Sequence, residues 1–105
     1  MILRTDIYEQ DDQLIITIEI PGIDESMFEV SLDRYVLTIA GRRRPAPVAP
    51  GCTYHRRERP AGSFRRDISL PICVGDRQAR FIGAELRDGL YVVRIPLLEK
   101  IAQSR

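Results

Sequence analysis

Residues 54–71 read Tyr-His-Arg-Arg-Glu-Arg-Pro-Ala-Gly-Ser-Phe-Arg-Arg-Asp-Ile-Ser-Leu-Pro, with five arginines leading into an alternation of apolar and polar side chains. If 64–70 is a strand, its period of two gives Arg66 the same face as three apolar residues, Phe64, Ile68 and Leu70. A guanidinium on that face must be met by a carboxylate or by backbone carbonyls, in this chain or in another. An inward arginine in so short a chain therefore indicates an interface rather than a catalytic centre.

Apolar alternation continues on both sides of this stretch, in runs bounded by turn signals. The predicted strands are 14–20, 28–32, 35–40, 64–70, 79–86 and 90–95, and the first and third of them end at Pro21-Gly22 and Gly41. Asp88-Gly89 is a strong hairpin signal between the last two. Short strands with this punctuation predict an antiparallel β-sandwich.

One connection is much longer than a hairpin needs. Residues 42–51 hold three prolines and are predicted to be a loop, and the arginine-rich segment extends that connection to 63. Long connections in compact domains are usually functional or engaged with a partner.

Length and composition indicate one globular domain. The chain has 105 residues, of which 44% are hydrophobic and 30% are charged, which is enough for one core and argues against disorder. No apolar run approaches the roughly 20 residues that cross a bilayer, and the start lacks the apolar stretch of a secretory signal. The cysteines, Cys52 and Cys73, do not form a disulfide framework. The expected compartment is the cytoplasm, with no membrane partner.

Charge is segregated along the chain. Residues 1–41 hold nine acidic residues and two arginines, whereas residues 42–66 hold eight arginines and one acidic residue, Glu58. The net charge of the whole chain is only +1. This pattern favours docking of the middle segment on an N-terminal segment, its own or that of a second copy.

No constellation of catalytic residues is present, so no enzyme activity, catalytic residue or cofactor is predicted. The chain has no glycine-rich phosphate loop, and His55 has no Ser or Cys partner at a recognised spacing. Cys52 and His55 have ligand-like spacing, but no second pair completes a zinc site, so no metal is predicted. The arginines, with Tyr54 and Phe64 as stacking residues, leave single-stranded nucleic acid as a weaker alternative that the near-zero net charge disfavours.

Several motifs, taken in order, resemble the α-crystallin domain of small heat-shock proteins. They are Asp6-Ile7-Tyr8-Glu9, Glu19-Ile20-Pro21-Gly22-Ile23, Val36-Leu37-Thr38-Ile39-Ala40-Gly41-Arg42, Tyr54-His55-Arg56-Arg57-Glu58-Arg59 followed by Gly62-Ser63-Phe64-Arg65-Arg66 and Leu70-Pro71, and Ala84-Glu85-Leu86-Arg87-Asp88-Gly89-Leu90 followed by Ile95-Pro96. The resemblance spans about residues 5–97. It implies an immunoglobulin-like antiparallel β-sandwich of about seven to eight strands. The expected domain is 1–97, with a short C-terminal tail at 98–105.

The resemblance also implies an ATP-independent chaperone, a holdase that binds partly unfolded client proteins and limits their aggregation. In bacterial and plant members, a strand in the long loop pairs with the first strand of the partner subunit. Here loop 42–63 would carry that strand near Cys52–Arg57, and its target would lie near Thr5–Glu9. The implied homodimer interface contains Arg66, Glu58, Tyr54, His55, Arg56, Arg57, Ile7 and Tyr8.

A hydrophobic groove between strands 28–32 and 79–86 is the second implied surface, for clients or tail peptides. Its candidate lining residues are Val30, Leu32, Ile82, Ala84 and Leu86, and an ordinary core role for each of them stays open. Family tails usually carry an Ile-x-Ile motif, whereas Leu98 and Ile101 are three residues apart. Only about four residues precede the matching region, so dimers with weaker holdase activity are expected rather than large shells. The alternative function is a co-chaperone or scaffold sandwich that binds one specific protein partner.

Overall fold

The structure is a computed structural model, and it describes residues 2–71 and 83–97. Within them the chain forms seven strands and one 3₁₀ turn, Glu25–Met27. The strands are β1 (Thr5–Gln10), β2 (Gln13–Glu19), β3 (Phe28–Asp33), β4 (Val36–Arg43), β5 (Gly62–Ser69), β6 (Gly83–Arg87) and β7 (Leu90–Pro96). In this part of the chain no helix is long and apolar enough to cross a membrane.

The strands form two antiparallel sheets. One sheet has the order β1-β2-β7-β6, and the other has the order β3-β4-β5. The β6–β7 hairpin turns at Asp88-Gly89, where both residues have positive φ, as the Asp-Gly signal predicts. The predicted all-β sandwich is confirmed.

The core lies between the two sheets and follows the alternation in the sequence. Leu14, Ile16 and Ile18 of β2 are fully buried against residues of the opposite sheet that include Leu37 and Ile39 of β4. Full burial of such a side chain stabilises the fold by roughly 1.5–3 kcal/mol each. Phe28 and Tyr91 join the two sheets with an edge-to-face ring contact at a centroid distance of 5.0 Å.

The sequence pattern predicts that a strand ends at Gly41, but in the structure Gly41 lies inside β4 of the three-stranded sheet. Its register partners are Phe28 of β3 and Phe64 of β5. A Cβ at this position would lie 2.8 Å from the Phe28 Cα and closer still to the Met27 carbonyl oxygen. Only glycine allows the neighbouring backbone to approach this closely.

The long connection is shorter than the sequence suggested. Strand β4 continues through Gly41 to Arg43, and β5 begins at Gly62, so the predicted loop 42–63 is in fact 44–61. The ladder extends because Arg42 and Arg43 pair with Ser63 and Gly62. Of the predicted strand 79–86, the part before Gly83 lies outside the described residues.

Candidate interaction surfaces

Residues 44–61, which we call the arm, connect two strands that are already side by side. Arg43 and Gly62 are register partners at the ends of β4 and β5, so a turn of two to five residues would join them. The chain instead uses eighteen residues, and all of them except Ala46 are exposed. These residues are exposed, and the two strands could be joined without them, so the arm adds nothing to the core. It is therefore a candidate interaction element.

The arm is organised by its own residues. Its tip, Ala49–Cys52, has proline second and glycine third, Gly51 has a φ of 76°, and the Cys52 N–H donates to the Ala49 carbonyl at 3.1 Å. These are the features of a type II turn, for which a Pro-Gly pair is a sequence signal. Further along, Arg57 Nη2 donates to the Ala46 carbonyl at 2.6 Å, and the guanidinium lies 4.7 Å from the centre of the Tyr54 ring.

Two arginines anchor the base of the arm to the turn before β3. Arg43 Nη2 donates to the Pro21 carbonyl at 3.0 Å, and Arg44 lies 3.9 Å from the Asp24 carboxylate. The Ser26 hydroxyl, the Ser26 N–H and then Arg44 lower the pKa of Asp24. Sequence reasoning missed this anchor, because the arginines looked like part of one uniform basic run.

The eight predicted dimer residues lie in three separate places in the single chain, the arm, β1 and, for Arg66, β5. Tyr54, His55, Arg56, Arg57 and Glu58 are all exposed in the arm and form no strand there, and Arg56 pairs with Glu58 at 3.1 Å. Ile7 and Tyr8 lie in β1. In the described sheet β1 is an edge strand that is bonded to β2 alone, and Tyr8 is 47% exposed.

Arg66 shares a strand face with Phe64 and Ile68 and is the register partner of the buried Ile39, as the alternation predicts. Its Nη1 donates to the carbonyl of Leu3, whose side chain is 3% exposed in the core. The hydrogen-bond partner of Arg66 in this chain is thus a backbone carbonyl, and the sequence analysis allowed either a carbonyl or a carboxylate. Arg66 itself remains exposed, however, so its guanidinium is in contact with solvent in the single chain.

The contact between Arg66 and Leu3 joins the two sheets along one side of the sandwich. Arg66 lies on edge strand β5, and Leu3 precedes edge strand β1. The remaining edge strands, β3 and β6, are at the opposite end of each sheet. The molecule thus offers a β1–β5 side and a β3–β6 side.

The predicted groove residues lie on the β3–β6 side. Val30, Leu32 and Leu86 are partly buried and pack against the core, whereas Ala84 is exposed. Ile82 lies outside the described residues. Among the described residues, β3 and β6 are each bonded to one neighbouring strand only. Partly buried side chains on such edge strands leave apolar surface beside backbone groups, a combination that accepts an added peptide strand.

Asp67 adds a cross-strand polar cluster beside Arg66. Its Oδ1 accepts a hydrogen bond from the Thr38 hydroxyl at 2.9 Å and lies 3.2 Å from Arg65 Nη2. The Thr38 hydrogen bond and then Arg65 outweigh desolvation and lower the pKa of Asp67 below its usual 3.8.

This shift predicts an acid-sensitive contribution to stability. A carboxyl whose folded pKa is depressed stabilises the fold above its unfolded pKa, and that contribution is lost as pH falls through the folded pKa. Asp67→Asn should therefore be less stable than wild type at pH 7, and the difference should fade below about pH 4. Urea midpoints between pH 7 and pH 2 measure it, with Thr38→Val as the control that removes the main cause. A difference of equal size at pH 2 would contradict this assignment.

The described residues contain no group of three or more His, Cys, Asp or Glu side chains placed to hold a metal ion. His55 and Cys52 are both exposed in the arm, and Cys52 is a free thiol. The chemistry that these surfaces do support is strand pairing, apolar contact and charge complementarity.

Comparison with known proteins identifies the family to which this two-sheet sandwich belongs. Residues 6–105 match the model of the Hsp20/alpha crystallin family. Small heat shock protein C2 of Rickettsia felis is 36% identical over 100 residues, which are 95% of this chain and 63% of that protein. This chain thus spans less than two thirds of that relative's length.

Solved structures agree with the sequence relatives. A small heat-shock protein from Xylella fastidiosa superposes with a TM-score of 0.68 at 30% identity, covering 91% of this chain and 85% of that one. HspA from Xanthomonas axonopodis gives a TM-score of 0.66 at 33% identity, with 90% and 91% covered. With the family match across nearly the whole chain and the same sandwich in these neighbours, the chain belongs to the Hsp20/alpha crystallin family of small heat-shock proteins.

Proposed function

We propose that this chain is an ATP-independent holdase that binds partly unfolded proteins and limits their aggregation. The observation that carries the proposal is the β3–β6 side, where Val30, Leu32 and Leu86 are only partly buried on strands that are sheet edges in the described part of the chain. Unfolded clients expose apolar side chains and unpaired backbone, and such an edge accepts both. Family membership supports the same function.

We further propose that two copies form a dimer by strand exchange. Segment 52–57 of one arm would add to the free edge of β1 in the second copy. The arm carries Arg56, Arg57 and Arg59, whereas β1 carries Asp6 and Glu9, so opposite charges would meet. Pairing would also cover an edge strand that is otherwise prone to aggregation.

The holdase proposal predicts protection of a heat-stressed client without nucleotide. An excess of the protein should reduce light scattering from the client, and added ATP should change nothing. Lysozyme or another unrelated globular protein at equal mass serves as the control for crowding. No protection at large excess, at a temperature where the domain stays folded, would favour a scaffold module with one specific partner.

The same assay tests where clients bind. A short peptide of Ile-x-Ile pattern should compete with the client, and it should shift the NMR resonances of Val30, Leu32 and Leu86. The matched control is the same peptide with both isoleucines replaced by serine. Shifts confined to other surfaces would show that these side chains belong to the core only.

A further inference from the structure

The arm has a cross-link between its two limbs, and that cross-link is a single arginine. Arg57 on the returning limb reaches the Ala46 carbonyl on the outgoing limb, eleven residues back in the sequence, at 2.6 Å. Its guanidinium also lies over the Tyr54 ring at 4.7 Å. Together with the turn at Ala49–Cys52, this contact closes the arm into a hairpin-like shape without a β ladder.

We infer that Arg57 is a positioning residue that braces the arm in the form that docks on β1 of a second copy. This inference rests on the proposed strand-exchange dimer. The brace reduces the conformational freedom that an eighteen-residue exposed segment would lose on docking. A segment that is already ordered before it binds loses less entropy and binds more tightly.

The brace is internal to the arm. All three residues involved, Ala46, Tyr54 and Arg57, belong to the arm, and Tyr54 is 45% exposed. Every residue of segment 52–57 is exposed, so the segment remains available to another molecule.

Arg57 differs from the adjacent Arg56 in the charge that it leaves available. Arg56 is paired with the Glu58 carboxylate at 3.1 Å, as Arg44, Arg65 and Arg87 are with Asp24, Asp67 and Glu85. Arg57 is held by a carbonyl and an aromatic ring, neither of which cancels its charge. One side chain thus both braces the arm and presents a positive charge to an acidic acceptor such as β1.

Sedimentation of the full chain and its variants tests this role. Arg57→Ala should raise the dimer dissociation constant by about tenfold, since it removes a hydrogen bond and a cation–π contact of modest strength each. Arg56→Ala removes an arginine that is paired with Glu58 and takes no part in the brace, and it is the control from the same arm, with a change of no more than about threefold. Tyr54→Leu should weaken the dimer, whereas Tyr54→Phe should not.

A second readout separates bracing from direct contact with the partner. In dilute samples where the monomer dominates, Arg57→Ala should increase backbone mobility on the picosecond to nanosecond scale across residues 46–57, and Arg56→Ala should not. The changes Tyr54→Leu and Arg57→Ala should be non-additive, because each breaks the same brace. The melting temperature of the monomer should not move, since the arm lies outside the core.

The outcomes distinguish the proposed strand-exchange dimer from the proposed role of Arg57 as its brace. A wild-type chain that stays monomeric at tens of micromolar overturns the strand-exchange dimer, and the docking role of Arg57 with it. A wild-type dimer that Arg57→Ala and Arg56→Ala weaken equally, with unchanged arm mobility, overturns the brace alone. A tenfold effect confined to Arg57 and Tyr54, accompanied by a looser arm, supports it.

Discussion

Gly41→Ala is expected to destabilise the fold by roughly 3 kcal/mol, the upper end of the cost of overpacking a core. The added methyl group would lie 2.8 Å from the Phe28 Cα and would overlap the Met27 carbonyl oxygen. Both obstacles are backbone atoms, so no side chain can rotate away to relieve the clash. Strand β3 would have to separate from β4 at the point where Phe28 contacts Tyr91, and the two sheets would lose that aromatic contact.

Thermal unfolding followed by circular dichroism measures this effect. At roughly 4–8 °C per kcal/mol for a domain of this size, the melting temperature should fall by about 12–24 °C. Gly83→Ala is the matched control, because Gly83 also lies in a strand and a Cβ there meets no described atom within 4 Å. Its melting temperature should stay near that of wild type. Equal melting temperatures for both variants would contradict the close approach at Gly41.

The fold could be predicted because apolar residues recur at every second position of its strands. In β2, Leu14, Ile16 and Ile18 are fully buried and Thr17 is less so, although Ile15 on the other face is also buried. The period of two identified the strand and the face that it turns to the core. Arg66 was informative for the same reason, since a charge that interrupts an apolar face must find a partner near an edge.

The boundaries at the arm could not be predicted from that pattern. Gly41 looked like the end of a strand because glycine often ends strands, yet it lies within β4 at a point where the backbone at Met27 and Phe28 leaves no room for a Cβ. Whether a glycine serves a turn or a close approach depends on what lies across the sheet, and that is not local information. Strand β4 also continues through the polar residues Arg42 and Arg43, because both of them pair with β5 across the sheet. That pairing is not local information either.

The sequence leads to a prediction of the candidate site as segments and not as contacts, and the pairing of those segments stays a prediction. Charge segregation indicated that the arm and β1 are complementary, and the structure has both of them exposed. The contact of Arg57 with Ala46 involves a backbone carbonyl, which is present in every residue and leaves no mark in the sequence. Likewise the acceptor for Arg66 is the carbonyl of Leu3, so a search for a carboxylate partner could not have found it.

Replacing residues 45–60 with Asn-Gly is expected to abolish the proposed dimer while leaving the sandwich folded. Arg43 and Gly62 are already register partners, so the shortened connection is a four-residue hairpin loop of an ordinary kind. Arg44 is kept because it lies beside Asp24, and none of the removed residues belongs to the core. The variant therefore loses the segment proposed to pair with β1 and loses no packing.

Sedimentation equilibrium and melting curves at several protein concentrations test this expectation together. If exchange holds the dimer, wild type should melt at a higher temperature as concentration rises, because association stabilises the folded state by mass action. The shortened variant should be a monomer whose melting temperature does not depend on concentration. A second variant, with 45–60 replaced by a Gly-Ser segment of equal length, controls for loop length and should also be monomeric, because it lacks the side chains that order and dock the arm. A shortened variant that still forms the wild-type dimer would show that the interface lies elsewhere, with Arg66 and the β1–β5 side as the first region to examine.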